Sequence, residues 1–168
     1  MMKKMISILV RNHPGVLSHV AGLFTRLGYN IESIAAGETE NPAVTRITIV
    51  VAGDEAILEQ VTKQLRKLID VIKVQDLSYS SSITRELVLL TLYATMEKRA
   101  EIINTANTFG ATVVDISEKT ITLEFVGSIR KVSSILRALE AFKVKDIART
   151  GLVALPLESQ VERNSGII

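Results

Sequence analysis

From Met5 to Val10 nearly every position is apolar, with Ile6, Ile8 and Val10 on one face and Met5 and Leu9 on the other. That pattern predicts a strand buried on both sides. Arg11-Asn12-His13-Pro14-Gly15 breaks the alternation. Apolar residues then recur at 16, 17, 20, 21, 23, 24 and 27, the spacing of a helix with one buried stripe, and Gly28 offers a left-handed stop. Asn30 to Gly37 predicts a second strand, Glu38 to Pro42 a turn, and Val44 to Ala52 a third strand with Thr45, Ile47, Ile49 and Val51 on one face. Gly53-Asp54 opens a second helix carrying Ile57, Leu58, Val61, Leu65 and Leu68, and Val71 to Tyr79 closes the unit. The predicted order is β-α-β-β-α-β.

Ser80-Ser81-Ser82 is the most linker-like stretch, and beyond it the same order starts again. Leu87 to Tyr93 predicts a strand, Glu97 to Phe109 a helix, Thr112 to Ile116 and Thr120 to Val126 two strands, Ser128 to Phe142 a helix, and Asp146 to Leu155 a last strand. At an offset of 82, Ile6, Ile8 and Val10 fall on Val88, Leu90 and Leu92, Gly28 falls on Gly110, and Ile31 and Ile34 fall on Val113 and Ile116. Past the second strand the offset is 74, which puts Gly53 on Gly127 and Leu65 on Leu139. The fold class expected is α+β: two tandem ferredoxin-like βαββαβ units, each an antiparallel four-stranded sheet with two helices on one face. Residues 1–80 form the first expected domain and 81–168 the second, which ends in a short polar tail. The other face of the first sheet, bearing Met5 and Leu9, needs a cover. Symmetric dimerisation is the expected one, and packing of the two copies on each other is the alternative.

Composition narrows the chemistry. The chain of 168 residues has no Cys and two His, so thiolate metal sites, disulfides and cysteine nucleophiles are excluded and a histidine metal cluster is not expected. Lys+Arg 20 against Asp+Glu 18 leaves a net charge of +2, spread evenly: residues 1–80 hold 9 basic and 8 acidic side chains, residues 81–168 hold 11 and 10. No basic patch stands out, and aromatic residues make up 4%, so nucleic acid is not an expected partner. Hydrophobic content is 47%, yet no apolar run approaches the ~20 residues of a membrane-spanning helix, and no export signal is legible; a cytoplasmic protein without a membrane partner is expected.

The two copies differ in kind at the turn between first strand and first helix, where Asn12-His13-Pro14-Gly15 faces Ala94-Thr95-Met96-Glu97. A helix N-terminus exposes backbone N–H groups and attracts a carboxylate or phosphate. Gly15 permits close approach, Asn12 adds an amide, and Glu97 would repel an anion from the second copy. An ordinary capped turn explains the same residues. No glycine-rich phosphate loop, nucleophile elbow or other catalytic constellation is present in the sequence, so the expectation is a binding module without an active site of its own. Arg11 and Asn12 keep an acylphosphatase-like hydrolase open as an alternative.

Asn12-His13-Pro14-Gly15-Val16-Leu17, Gly22-Leu23-Phe24 and Gly28-Tyr29-Asn30-Ile31-Glu32-Ser33-Ile34 resemble the regulatory small subunits of acetolactate synthase. The likeness continues through Arg46-Ile47-Thr48-Ile49, Lys67-Leu68-Ile69-Asp70-Val71 and Arg85-Glu86-Leu87 to Ala148-Arg149-Thr150-Gly151. It implies an N-terminal ACT domain binding a branched-chain amino acid, chiefly valine, as feedback inhibitor, in a homodimer that associates with a catalytic large subunit. It implies no cofactor in this chain, the thiamine diphosphate, Mg²⁺ and FAD belonging to the large subunit. The effector is expected at an ACT–ACT interface, held by Asn12, His13, Pro14, Gly15, Val16 and Leu17 and by Asn30 and Ile31 of the facing subunit. Its carboxylate would meet the N–H groups of Gly15 to Leu17 and its ammonium Asn12 and Asn30. One departure is His19, where relatives often carry arginine. A free-standing amino-acid sensor of the same fold is the other reading.

Overall fold

The computed structural model describes residues 3–77 and 81–158. Tyr79, Ser80 and the polar tail expected at the C-terminus lie outside the described residues. The first repeat comprises β1 (Lys3–Arg11), α1 (Val16–Leu27), β2 (Ile31–Glu38), β3 (Val44–Ala52), α2 (Glu55–Leu65) and β4 (Val71–Leu77). The second comprises β5 (Ser82–Tyr93), α3 (Met96–Thr108), β6 (Thr112–Ile116), β7 (Thr120–Gly127), α4 (Ile129–Ala138) and β8 (Val144–Arg149), followed by β9 (Val153–Pro156). Both sheets are antiparallel and share one topology, β2-β3-β1-β4 and β6-β7-β5-β8.

The repeat extends to irregularities. Bulges fall at Leu9/Val10 and Thr91/Leu92, and at Ile31/Ser33 and Val113/Asp115, each pair 82 residues apart. Gly28 and Gly110 end α1 and α3 with φ of +71° and +69°, which only glycine adopts without strain. At Gly53 and Gly127 the demand is for space, because a Cβ would lie 2.8 Å from Ile57 Cγ2 or 2.9 Å from Lys131 Cβ. The following residues cap the next helices: Asp54 Oδ1 accepts from Ile57 N–H at 3.0 Å, and Ser128 Oγ from Lys131 N–H at 3.4 Å.

Each unit has its own core between the sheet and its helices. In the first, Ile6, Ile8, Val10, Ile47, Ile49 and Val51 meet Val16, Val20, Leu23 and Phe24 of α1 and Leu58, Val61 and Leu65 of α2. In the second, Val88, Leu90, Leu92, Leu123 and Phe125 meet Ile102, Ala106, Val132 and Ile135. Glu86, buried, and Arg149 join β5 to β8 through two 2.8 Å hydrogen bonds.

Two expectations of secondary structure change, and the compact units have bounds of their own. The last strand is not continuous over Asp146 to Leu155: β8 ends at Arg149, Gly151 takes a φ of +77°, and β9 leaves to pair with β5, Leu157 N–H donating to Ser81 C=O. The helix expected to reach Phe142 ends at Ala138. Its apolar periodicity runs on into turns in which Leu139 and Phe142 stay buried, so pattern alone overshoots the end. The two compact units divide at Ile83/Thr84, and the segment from Leu152 belongs with the first unit although it follows the second in sequence.

That segment returns to the Met5 face of the first sheet. Met5 is 0% exposed, and Ser7, Thr48, Val50 and Leu77 on the same face are also buried within the single chain. Ser33 Oγ on this face accepts from Leu152 N–H at 3.2 Å, and β9 lies against β4. Leu9, on the same face, stays half-buried.

Candidate functional site

The loop between β1 and α1 is shaped by three anchors. Asn12 N–H donates to Ala43 C=O at 2.8 Å, Arg11 N–H to Asp70 C=O at 2.9 Å, and Val16 N–H to His13 C=O at 3.3 Å. Gly15 is the N-cap of α1 with φ +90°, a left-handed conformation, and no side chain caps the helix. By contrast α2 has Asp54 and α4 has Ser128 in that role. An uncapped helix start with a bare glycine leaves N–H groups of the first turn available to an anion.

The expected site residues take distinct roles. Val16 is buried and belongs to the core, so it fixes the loop and contributes its backbone, whereas Leu17 is 47% exposed. The Asn12 side chain is not free: Nδ2 donates to Pro42 C=O at 2.9 Å and to Glu38 Oε1 at 3.2 Å. An amide whose nitrogen is taken by two acceptors has its oxygen left for a donor. Pro14 O faces His13 Nδ1 at 2.9 Å. Asn30 is exposed and Ile31 half-buried.

Asn30 and Ile31 are not beside this loop. Ile31 pairs with Val51, and Val51 with Lys4, while Arg11 pairs with Val44 at the other end of β1. Seven strand residues separate the two ends, roughly 24 Å at about 3.4 Å per residue. The expected site residues therefore fall into two groups, one at each end of β2, since Glu38 at its far end touches Asn12. β2 is an edge strand.

Three residues at the loop form a group that sequence spacing does not predict. His13 and His19, six apart in sequence, both reach Asp70: His13 Nε2 lies 2.7 Å from Oδ1 and His19 Nδ1 2.8 Å from Oδ2. The Asp70 side chain is 10% exposed. The hydrogen bond from His19, then that from His13, hold its carboxyl below the usual carboxylate range. His13 is raised above its ordinary value, first by Asp70 and then by the Pro14 carbonyl. Glu38, read only as a turn residue, is the carboxylate nearest Asn12. A signal existed for Asp70, inside the Lys67–Val71 stretch that carried the resemblance; nothing in the sequence pairs it with the histidines. No group of three or more metal-ligating side chains poised for a metal ion occurs among the described residues.

The corresponding turn of the second unit is different. Glu97 stands in the first turn of α3, whose N-cap Thr95 makes no side-chain cap. Beside it lies an open cleft of about 420 Å³ over Ala94 and Phe142, edged by Lys98, Lys119, Lys143 and Glu118, with Lys143 Nζ 5.2 Å from the Tyr93 ring centre.

Comparison with known proteins gives a consistent answer. A family model described as AHAS small subunit-like ACT domain matches residues 6–73, and one described as small subunit of acetolactate synthase matches residues 85–158. A probable acetolactate synthase small subunit of Methanothermobacter thermautotrophicus is 48% identical over 151 residues, 89% of this chain and 90% of that one. An acetolactate synthase small subunit of Mycobacterium leprae is 46% identical over 150 residues, 89% of each chain. The crystal structure of the acetolactate synthase small subunit from Thermotoga maritima superposes with a TM-score of 0.85 at 36% identity, covering 93% of this chain and 98% of that one. With similarity running through both units and the loop at Asn12 within the first matched segment, the chain belongs to the acetolactate synthase small-subunit family.

Proposed function

We propose that this chain is the non-catalytic regulatory subunit of an acetolactate synthase, raising the activity of a catalytic large subunit and conferring feedback inhibition by valine bound between two copies of the first unit. In this reading the large subunit supplies thiamine diphosphate, Mg²⁺ and FAD, and the assembly works in the cytoplasm.

The observation that carries the ligand site is the placement of its halves at opposite ends of one edge strand. Antiparallel pairing of β2 with β2 of a second copy brings Asn30 of each chain to the Glu38 end of the other, beside Asn12. Valine's carboxylate then meets the N–H groups of Gly15 and Leu17 at the start of α1, Val16 N–H being held by His13 C=O, and its ammonium meets Asn12 Oδ1, the Glu38 carboxylate and the partner copy's Asn30. Glu38 is an addition to the residues expected from sequence; a carboxylate is a natural acceptor for an ammonium group. A ligand that bridges two copies shifts their relative arrangement only through its differential affinity for the two states, and that difference is what the large subunit would sense.

Reconstitution tests this. Mixed with the catalytic large subunit of the same organism, the chain should raise acetolactate formation and make it valine-sensitive. Valine binding by the chain without any effect on the large subunit would favour a free-standing sensor, and no change in either quantity would overturn the proposal.

A further inference from the structure

We propose that Asp70, braced by His19, is a positioning residue for the effector loop: it fixes His13 with both ring nitrogens donating, so that the loop is built around an imidazolium and grips an anionic group more tightly when His13 is protonated. This rests on the reading of the Asn12–Leu17 loop as the effector site.

The argument is one of donors and acceptors. His13 Nδ1 lies 2.9 Å from the Pro14 carbonyl and Nε2 2.7 Å from Asp70 Oδ1. A carbonyl and a carboxylate only accept, and a neutral imidazole has one N–H, so it satisfies one of the two; the imidazolium satisfies both. Asp70 cannot swing away to relieve the mismatch. Its second oxygen is held by His19 Nδ1 at 2.8 Å, its own C=O accepts from Arg11 N–H at 2.9 Å, and its side chain is almost wholly covered. The charged groups acting on His13 are Asp70, which favours its proton, and Arg11, which opposes it; those acting on Asp70 are His13 and His19.

Protonated His13 therefore closes a chain of contacts from β4's approach at Asp70, through the ring, to the carbonyl of Pro14, next to the Gly15 that starts α1. Loss of the proton breaks one of the two contacts, loosening the loop and removing a positive charge beside the first-turn N–H groups. Both effects weaken a carboxylate's hold.

The test is valine calorimetry on the full chain between pH 5.5 and 8.5, for wild type, Asp70→Asn and His13→Gln, with ¹⁵N NMR of the histidine rings without ligand. Wild-type affinity should fall by about three- to tenfold as pH rises through the His13 titration, the range set by one charge near a helix terminus. Asp70→Asn and His13→Gln should each flatten that profile, and Asp70→Asn should return the His13 titration to its ordinary position. His13→Gln keeps the test alive if Asp70→Asn fails to fold. Valine binding with a flat wild-type profile, or a His13 titration indifferent to Asp70→Asn, overturns the positioning role alone. A folded protein that binds no valine at any pH overturns the functional reading, and this proposal with it.

Discussion

The Asn12 side-chain nitrogen donates to the Glu38 carboxylate across 3.2 Å, joining the β1–α1 loop to the end of edge strand β2. The contact settles which end of that amide faces outward. With Nδ2 held by Glu38 and by the Pro42 carbonyl, Oδ1 is the atom left to receive an ammonium group.

Asn12→Ala removes that acceptor and the tie to the hairpin. A hydrogen bond to a charged group is worth roughly 1.5–3 kcal/mol, so valine should bind about 10- to 150-fold more weakly. Glu38→Gln, which keeps the shape and removes the charge, should weaken binding in the same direction by calorimetry. Unchanged affinity in both variants would remove the ammonium from this corner of the site.

Gly15 calls for a paired comparison. Its φ of +90° strains any side chain, although a Cβ there meets open space. Gly15→Asp and Gly15→Asn should therefore lose similar stability, about 1–2 kcal/mol each by denaturant unfolding. Only Gly15→Asp places a negative charge where the effector carboxylate is expected, so valine inhibition of the reconstituted enzyme should be abolished there and merely weakened in Gly15→Asn. Equal inhibition of the two variants would show that charge at this point is irrelevant.

Ile34 on edge strand β2 is 41% exposed on the helix side of the sheet, across from buried Ile49. Under the proposed β2–β2 pairing it is covered by the second copy, so Ile34→Glu should convert dimer to monomer in sedimentation and lower valine affinity with it, since each site would lose its far half. A dimer that survives this change with full affinity would place the interface elsewhere.

Asp70 and His13 also set a pH window for stability. The depressed Asp70 carboxyl favours the native state above its unfolded value of ~3.9, and that contribution fades as pH falls through the lower native value. The raised His13 favours the native state below ~6.5, and its contribution fades as pH rises through the higher native value. Both are full between about pH 4 and 6.5. The difference in Tm between wild type and Asp70→Asn should be largest there and shrink on either side; a difference constant from pH 3 to 9 would contradict the linkage.

Sequence alone determined the repeat, its element order and the residues of the two cores, because burial imposes a period of two on strands and 3.6 on helices, and those periods are written in residue order. It also isolated the Asn12–Leu17 loop, since the second copy lacks it. Where the fold reuses backbone without an apolar signature, the sequence was silent. The break at Gly151 and the contact of Leu152 N–H with Ser33 Oγ return the segment after β8 to the first unit, and no local pattern encodes so distant a contact. His13, His19 and Asp70 likewise come from a loop, a helix and the approach to a strand 51 or more residues away, and only tertiary packing gives one carboxylate two imidazoles. That the Asn12–Leu17 loop and the Asn30–Ile31 pair stand at opposite ends of β2 follows from sheet register alone, because antiparallel pairing decides which ends of the strands meet.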